Sequence, residues 1–245
     1  MTGRLRLFCL PYAGGSAVRI YGAWDRYLPA DIEVVPVELA GRGSRIGEVP
    51  VPRAEALVAD ALRQVVPGTD EPFALFGHSL GAMLAFEVAR ALEHVNNRAP
   101  AHLLVSAFQA PDLPHQPDRD YLLPDPQFRD RLRALAGTPR EVLDNDELMG
   151  LLLPVLRADF AALDQWRYRP GPPLSCPVTV FGALSDPEVP VETLDGWRRQ
   201  TTGDFQVRLL PGHHFFIHEA AELLLPLVAD RLDGTRPVAA PVRSR

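Results

Sequence analysis

Short apolar runs alternate with stretches of helical spacing over most of the 245-residue chain. The runs occupy 5–10, 32–37, 73–76, 102–106, 178–181 and 205–210, each bounded by Gly, Pro or polar residues. Short, mainly apolar runs of this length suit buried strands, which pair in parallel beneath covering helices. Between them, 53–66, 80–93, 191–200 and 219–231 repeat apolar positions at helical spacing. This alternation predicts an α/β fold, a mostly parallel central sheet flanked by helices.

The alternation breaks between 111 and 173, where 127–136 and 146–163 carry helical patterns and no run reads as a strand. We read residues 111–173 as a helical lid inserted into a core made of 1–110 and 174–233. The insertion opens on a Pro-rich, charged stretch, 111–126, and closes on 169–173, both compositions that suit a linker. The last residues, 234–245, read as a flexible tail.

Composition narrows the function classes. With 47% hydrophobic and 23% charged residues the chain fits one compact domain. A net charge of -6 leaves no basic footprint for nucleic acid. All 25 basic residues are Arg. No apolar run reaches the length of a membrane span. The opening residues carry charge without an apolar stretch ending at a small-residue cleavage site, so no signal peptide and a cytoplasmic location are expected. Cys9 and Cys176 lack metal-ligand spacing and read as buried free thiols, and no metal is expected. No heptad pattern is present, so a monomer is expected.

The chemistry-bearing signal is Gly77-His78-Ser79-Leu80-Gly81, between the run 73–76 and the helical stretch from Leu80. A strand that turns abruptly into a helix holds its central Ser in a strained conformation and leaves no room for side chains two positions away, which is why glycines flank it. The turn would aim the Ser79 hydroxyl over the sheet and present the Leu80 amide at a helix N-terminus, where an oxyanion can be held.

A neutral serine hydroxyl is a weak nucleophile and needs a histidine base oriented by a carboxylate, in the chain order Ser, acid, His for this arrangement. Run 178–181 leads into Gly182-Ala183-Leu184-Ser185-Asp186-Pro187, which makes Asp186 the candidate acid. Run 205–210 leads into Pro211-Gly212-His213-His214-Phe215-Phe216, and spacing alone leaves His213 and His214 both open as base. The second oxyanion amide is expected from Pro11-Tyr12-Ala13-Gly14-Gly15-Ser16 after the first run, with Ala13 preferred and Tyr12 next. That loop has neither a complete dinucleotide fingerprint nor a P-loop lysine, which argues against nucleotide binding.

Taken together, Leu10-Pro11-Tyr12-Ala13-Gly14-Gly15-Ser16, Ala40-Gly41-Arg42-Gly43, Phe76-Gly77-His78-Ser79-Leu80-Gly81 and Pro211-Gly212-His213-His214-Phe215-Phe216 resemble the type II thioesterases of polyketide and nonribosomal peptide synthesis, over nearly the whole chain. The resemblance implies an α/β-hydrolase fold with a helical lid. Aligned with that family's Gly-Gly-His-Phe-Phe loop, His214 becomes the base and His213 stands for a glycine, while Ser79 and Asp186 match nucleophile and acid. Two departures are visible: Ala40 stands where the family often has Pro, and Ser106-Ala107-Phe108-Gln109-Ala110-Pro111 lacks an Arg common after that strand.

The resemblance further implies a serine thioesterase that hydrolyses acyl groups from the phosphopantetheine arm of acyl or peptidyl carrier proteins, editing aberrant or stalled units without a cofactor of its own. A general carboxylesterase or lipase would show the same three residues. A non-catalytic module that binds acyl groups or carriers is the rival from another class. The lid's apolar stripe (Phe128, Leu132, Leu135, Leu148, Met149, Leu152, Leu156 and Phe160) could wall an acyl pocket, but a stripe at helical spacing is more often ordinary packing. Arg19, Arg26, Arg42 and Arg45 are candidates for meeting an acidic carrier, and Arg42 equally for bracing a Gly-rich turn.

Overall fold

The structure, a computed structural model, describes residues 4–114 and 118–233. The expected tail at 234–245 and positions 115–117 of the expected linker lie outside the described residues. Six strands, β1 (Leu5–Leu10), β2 (Ile32–Pro36), β3 (Phe73–His78), β4 (His102–Ser106), β5 (Val178–Ala183) and β6 (Phe205–Leu210), form one sheet in the order β2-β1-β3-β4-β5-β6. Every pairing in it is parallel. The strand order reverses beside β1, which pairs with both β2 and β3, and open parallel sheets gather their chemistry at the carboxyl ends of strands near such a point.

Alternate side chains on each strand feed two apolar layers. From β1, Phe8 and Leu10 join Leu75, Leu103 and Val180 on one face, packed by α2 (Ala54–Val65) and α3 (Leu80–His94). Leu5, Leu7 and Cys9 join Phe76, Leu104 and Phe181 on the other, covered by α1 (Ala17–Tyr21) and α8 (Ala221–Asp233). Burial on both faces is why the central strands β3, β4 and β5 read as near-continuous apolar runs, whereas the edge strands β2 and β6 admit polar residues. Both cysteines are free and buried, and burial pushes the Cys176 thiol up to about 12.

Between β4 and β5 the chain builds α4 (Asp125–Leu135), α5 (Arg140–Leu143) and α6 (Asp146–Gln165) and, among the described residues, no strand. These helices share a small core of their own, in which Phe128, Leu143, Met149 and Leu153 meet. Elsewhere the expectations need correction. The helix expected over 191–200 is two 3-10 turns, Val191–Thr193 and Asp195–Gln200. Pro190 starts the first and Gly196 sits inside the second, so neither turn has the uninterrupted side-chain run an α-helix needs. The last helix is preceded by a separate turn, α7 (Phe216–Glu219).

His102 is buried at the start of β4, its Nε2 2.9 Å from the Thr179 hydroxyl, and burial together with the Arg231 charge pulls its pKa down to about 4. The unfolded chain therefore binds a proton that the fold refuses as pH drops below the ordinary imidazole value near 6.5. Stability is expected to fall progressively from pH 6.5 toward 4. Denaturant midpoints at pH 7 and pH 5 check this, and His102→Gln should flatten the difference.

Candidate active site

Ser79 lies where β3 turns directly into α3, at φ 54° and ψ −116°, a conformation that costs a non-glycine residue about 1–3 kcal/mol. The turn closes because both neighbouring glycines are bare. A Cβ on Gly77 would overlap the backbone carbonyl of Gly81, and one on Gly81 would overlap the carbonyl of Leu10. The Ser79 amide donates to the Ser106 carbonyl at 2.8 Å, which ties the turn to the neighbouring strand β4.

His214 Nε2 stands 3.1 Å from Ser79 Oγ, and His214 Nδ1 stands 2.8 Å from Asp186 Oδ2. A carboxylate can only accept, so Nδ1 carries the ring hydrogen and Nε2 is left to accept from the serine hydroxyl. The other oxygen of Asp186 accepts the amides of Glu188 at 2.9 Å and Val189 at 3.3 Å, which fixes the carboxylate's orientation. Asp186 and His214 are both buried. His213 points away: it is exposed, and its Nδ1 donates to the Ser185 carbonyl at 3.0 Å. Of the two histidines that spacing left open, the loop brings His214 to Ser79 and turns His213 away from it.

Leu80 is the first residue of α3, so its amide is one of those an α-helix leaves without an internal acceptor. Ala13 and Tyr12 line the same cavity as Ser79 and His214. Their loop is braced along its length. The Tyr21 hydroxyl donates to the Leu10 carbonyl at 2.7 Å, and Glu38 accepts from the Ser16 hydroxyl and the Ala17 amide at 2.7 and 2.9 Å. Gly14 adopts φ +76° and donates its amide to Asp159 of α6 at 2.7 Å. Asp159, fully buried, also takes Arg42 through both oxygens, at 2.5 and 2.7 Å.

A cavity of about 360 Å³ opens beside Ser79. Tyr12, Ala13 and His214 line it together with Ser79. The helices between β4 and β5 contribute Leu132, Leu135, Leu156 and Phe160 to its wall. Of the two readings of the apolar stripe, packing and cavity wall, each holds for some of its residues. Phe128 and Met149 do pack within the insertion and Leu148 is exposed, but four positions line the cavity. Helical periodicity cannot separate a side chain facing another helix from one facing a void.

A family model described as the thioesterase domain matches residues 5–232. The chain belongs to the thioesterase family. Its reaction is hydrolysis of a thioester. Among curated proteins the thioesterase is 41% identical over 231 residues to the gramicidin S biosynthesis protein GrsT of Aneurinibacillus migulanus, covering 94% of this chain and 90% of that one. Among solved structures it is similar to RedJ, a thioesterase from the prodiginine pathway of Streptomyces coelicolor (TM-score 0.85, 40% identity, 93% and 85% of the two chains). It is equally similar in shape to the type II thioesterase BorB of the borrelidin cluster (TM-score 0.85, 35% identity, 94% and 93%).

Two features of the thioesterase escaped sequence reasoning. Asp159 lies on the apolar face of α6 with Val155, Leu156 and Ala162, and a carboxylate there is a signal that a partner is buried with it. That the partner is Arg42, 117 residues earlier, could not be read. Arg42 is thus a brace and not a surface docking residue. Arg45 is likewise engaged, by Asp60 and Glu48, whereas Arg19 and Arg26 are exposed. Among the described residues no helix is long and apolar enough to cross a membrane.

Proposed function

We propose that the protein is a type II thioesterase that strips acyl groups from the phosphopantetheine arm of acyl or peptidyl carrier proteins in polyketide or nonribosomal peptide synthesis. Supporting this reading is the hydrogen-bonded chain Ser79–His214–Asp186 beside a cavity lined in part by apolar side chains, in a chain of the thioesterase family. Ser79 attacks the thioester carbonyl while His214 takes its proton. The amides of Ala13 and Leu80 hold the oxyanion. Collapse expels the pantetheine thiol, which receives the proton from His214. Water, deprotonated by His214, then attacks the acyl-serine, and collapse releases the acid as His214 returns the proton to Ser79 Oγ. Asp186 keeps the imidazole in the required tautomer. The sequence of steps uses only these groups and water, and calls for no cofactor.

In the same proposal the segment 111–173 is a lid over the core 1–110 and 174–233, and its apolar wall takes the acyl chain. Exposed Arg19 and Arg26 offer positive charge to an acidic carrier. Thioesterase membership favours this reading over a general carboxylesterase or lipase and over a non-catalytic binding module.

The test is intact-protein mass spectrometry of an acyl-loaded carrier, beside a free aryl ester of the same acyl group. Loss of the acyl mass with wild type, and not with Ser79→Ala, supports the proposal. Ester cleavage with the carrier left loaded overturns it. Asp186→Asn is expected to lower kcat by about 10⁴-fold while the protein stays folded, because an amide stabilises the wrong imidazole tautomer. Single-turnover rates with circular dichroism as the folding control would check this.

A further inference from the structure

His78 does no step in the reaction above, yet it is wholly buried between the nucleophile turn and the base loop. Its Nε2 lies 2.9 Å from the backbone carbonyl of His214 and its Nδ1 2.8 Å from the Ser106 hydroxyl. A carbonyl only accepts, so Nε2 carries a hydrogen and donates it. Burial, together with the nearby His214, holds the His78 pKa well below the usual imidazole value, so the ring is neutral and Nδ1 accepts from Ser106. Both nitrogens are thereby assigned. Neutrality also matters to the neighbour: the two rings are 5.7 Å apart, and a cation at His78 would oppose the imidazolium that forms on His214.

Packing alone does not require a histidine here. Tyr12, Phe215 and Phe216 surround the ring with centroids 5.4 to 6.2 Å away, a setting in which phenylalanine would fit. What a phenylalanine lacks is the N–H. The base loop is tied to the acid loop by the Ser185 amide on the Gly212 carbonyl and by the His213 ring on the Ser185 carbonyl. Among the described residues, the hydrogen bond joining it to the nucleophile strand, apart from the Ser79–His214 contact itself, is that of His78.

We propose that His78 is a positioning residue for hydrolysis, a neutral strut from the residue before the nucleophile to the backbone of the base, which sets the reach of His214 Nε2 to Ser79 Oγ. The proposal rests on the roles given above to Ser79 and His214. A misplacement of about 1 Å between reacting groups costs on the order of a hundredfold in rate.

The experiment measures kcat, KM and fluorophosphonate labelling of the full chain with an acyl-loaded carrier, for wild type, Ser79→Ala, His78→Phe and His78→Gln. His78→Phe is expected to lower kcat roughly tenfold to a hundredfold, to slow labelling in parallel and to leave KM within about twofold. His78→Gln, whose amide nitrogen can reach the same carbonyl, should recover most of the loss. Wild-type kcat in His78→Phe, or equal losses in both variants, overturns the strut. Should His78→Phe not fold, His78→Asn replaces it: its amide reaches Ser106 but stops short of the His214 carbonyl, so wild-type kcat there overturns the proposal and a loss rescued by Gln supports it. If Ser79→Ala turns over at the wild-type rate, the underlying reading fails instead.

Discussion

Ser79→Ala is expected to lower kcat for acyl-carrier hydrolysis by about 10⁶-fold, the scale seen when a nucleophile that works as a unit with its base is removed. The residue keeps its Cβ and therefore its strained backbone, so the fold should survive with a loss near 1 kcal/mol from the missing hydrogen bond to His214. Ser79→Gly makes the complementary point. Glycine tolerates φ 54°, and removing the strain should raise stability by about 1 kcal/mol or more while leaving the protein equally inactive. Thermal denaturation beside single-turnover kinetics separates the two effects. A Ser79→Gly variant no more stable than Ser79→Ala would show that the turn stores no strain at Ser79. As controls, His214→Ala should approach the loss of Ser79→Ala, and His213→Ala should stay within a few-fold of wild type, because its ring is turned to the Ser185 carbonyl.

The second prediction concerns α6. Asp159→Ala leaves the Arg42 guanidinium buried without its counter-charge, a change that costs about 3–5 kcal/mol. Against a total stability of roughly 5–15 kcal/mol that is a large fraction. The same change removes the acceptor for the Gly14 amide, next to the proposed oxyanion donor Ala13. A double replacement, Arg42→Met with Asp159→Leu, separates these consequences. With both charges gone, stability should return to near wild type. The Gly14 amide still lacks its acceptor, so kcat should remain lowered, by about tenfold, less than the loss of an oxyanion donor outright. Guanidinium midpoints and kcat measured on the same preparations decide it. Recovery of both quantities together would mean that Asp159 serves stability alone and does not hold the loop.

This ion pair changes how the inserted helices are understood. By composition alone the segment after β4 reads as a cover added to a finished core. Instead, α6 delivers a buried carboxylate to the loop after β1, and the Leu156 side chain fills the space a Cβ on Gly14 would need. At the opposite side, Arg131 of α4 bridges Asp120 and Glu188, the latter two residues beyond the candidate acid. The insertion is therefore fastened to two of the loops that build the site.

The parts legible in the amino-acid order were those with local causes. The central strands announced themselves because burial on both faces keeps charge out, as in the run from Phe73 to Phe76. The turn at Ser79 was legible because its close backbone approaches admit only glycine at 77 and 81. Asp186 and the histidine pair were found because each follows a strand, and the carboxyl ends of parallel strands converge. The family resemblance added the choice of His214.

What tertiary structure alone decided were relations between distant segments. Periodicity gave the helical stripe of the insertion but not which of its residues face a void, since a helix displays the same apolar face to either. The turns at 191–200 were misread because local spacing looked helical while Pro190 and Gly196 interrupted it. Arg42 with Asp159 and His78 with His214 lie more than a hundred residues apart. Nothing in one-dimensional order marks such pairs, because a buried charge or imidazole is made tolerable only by the partner that folding brings to it.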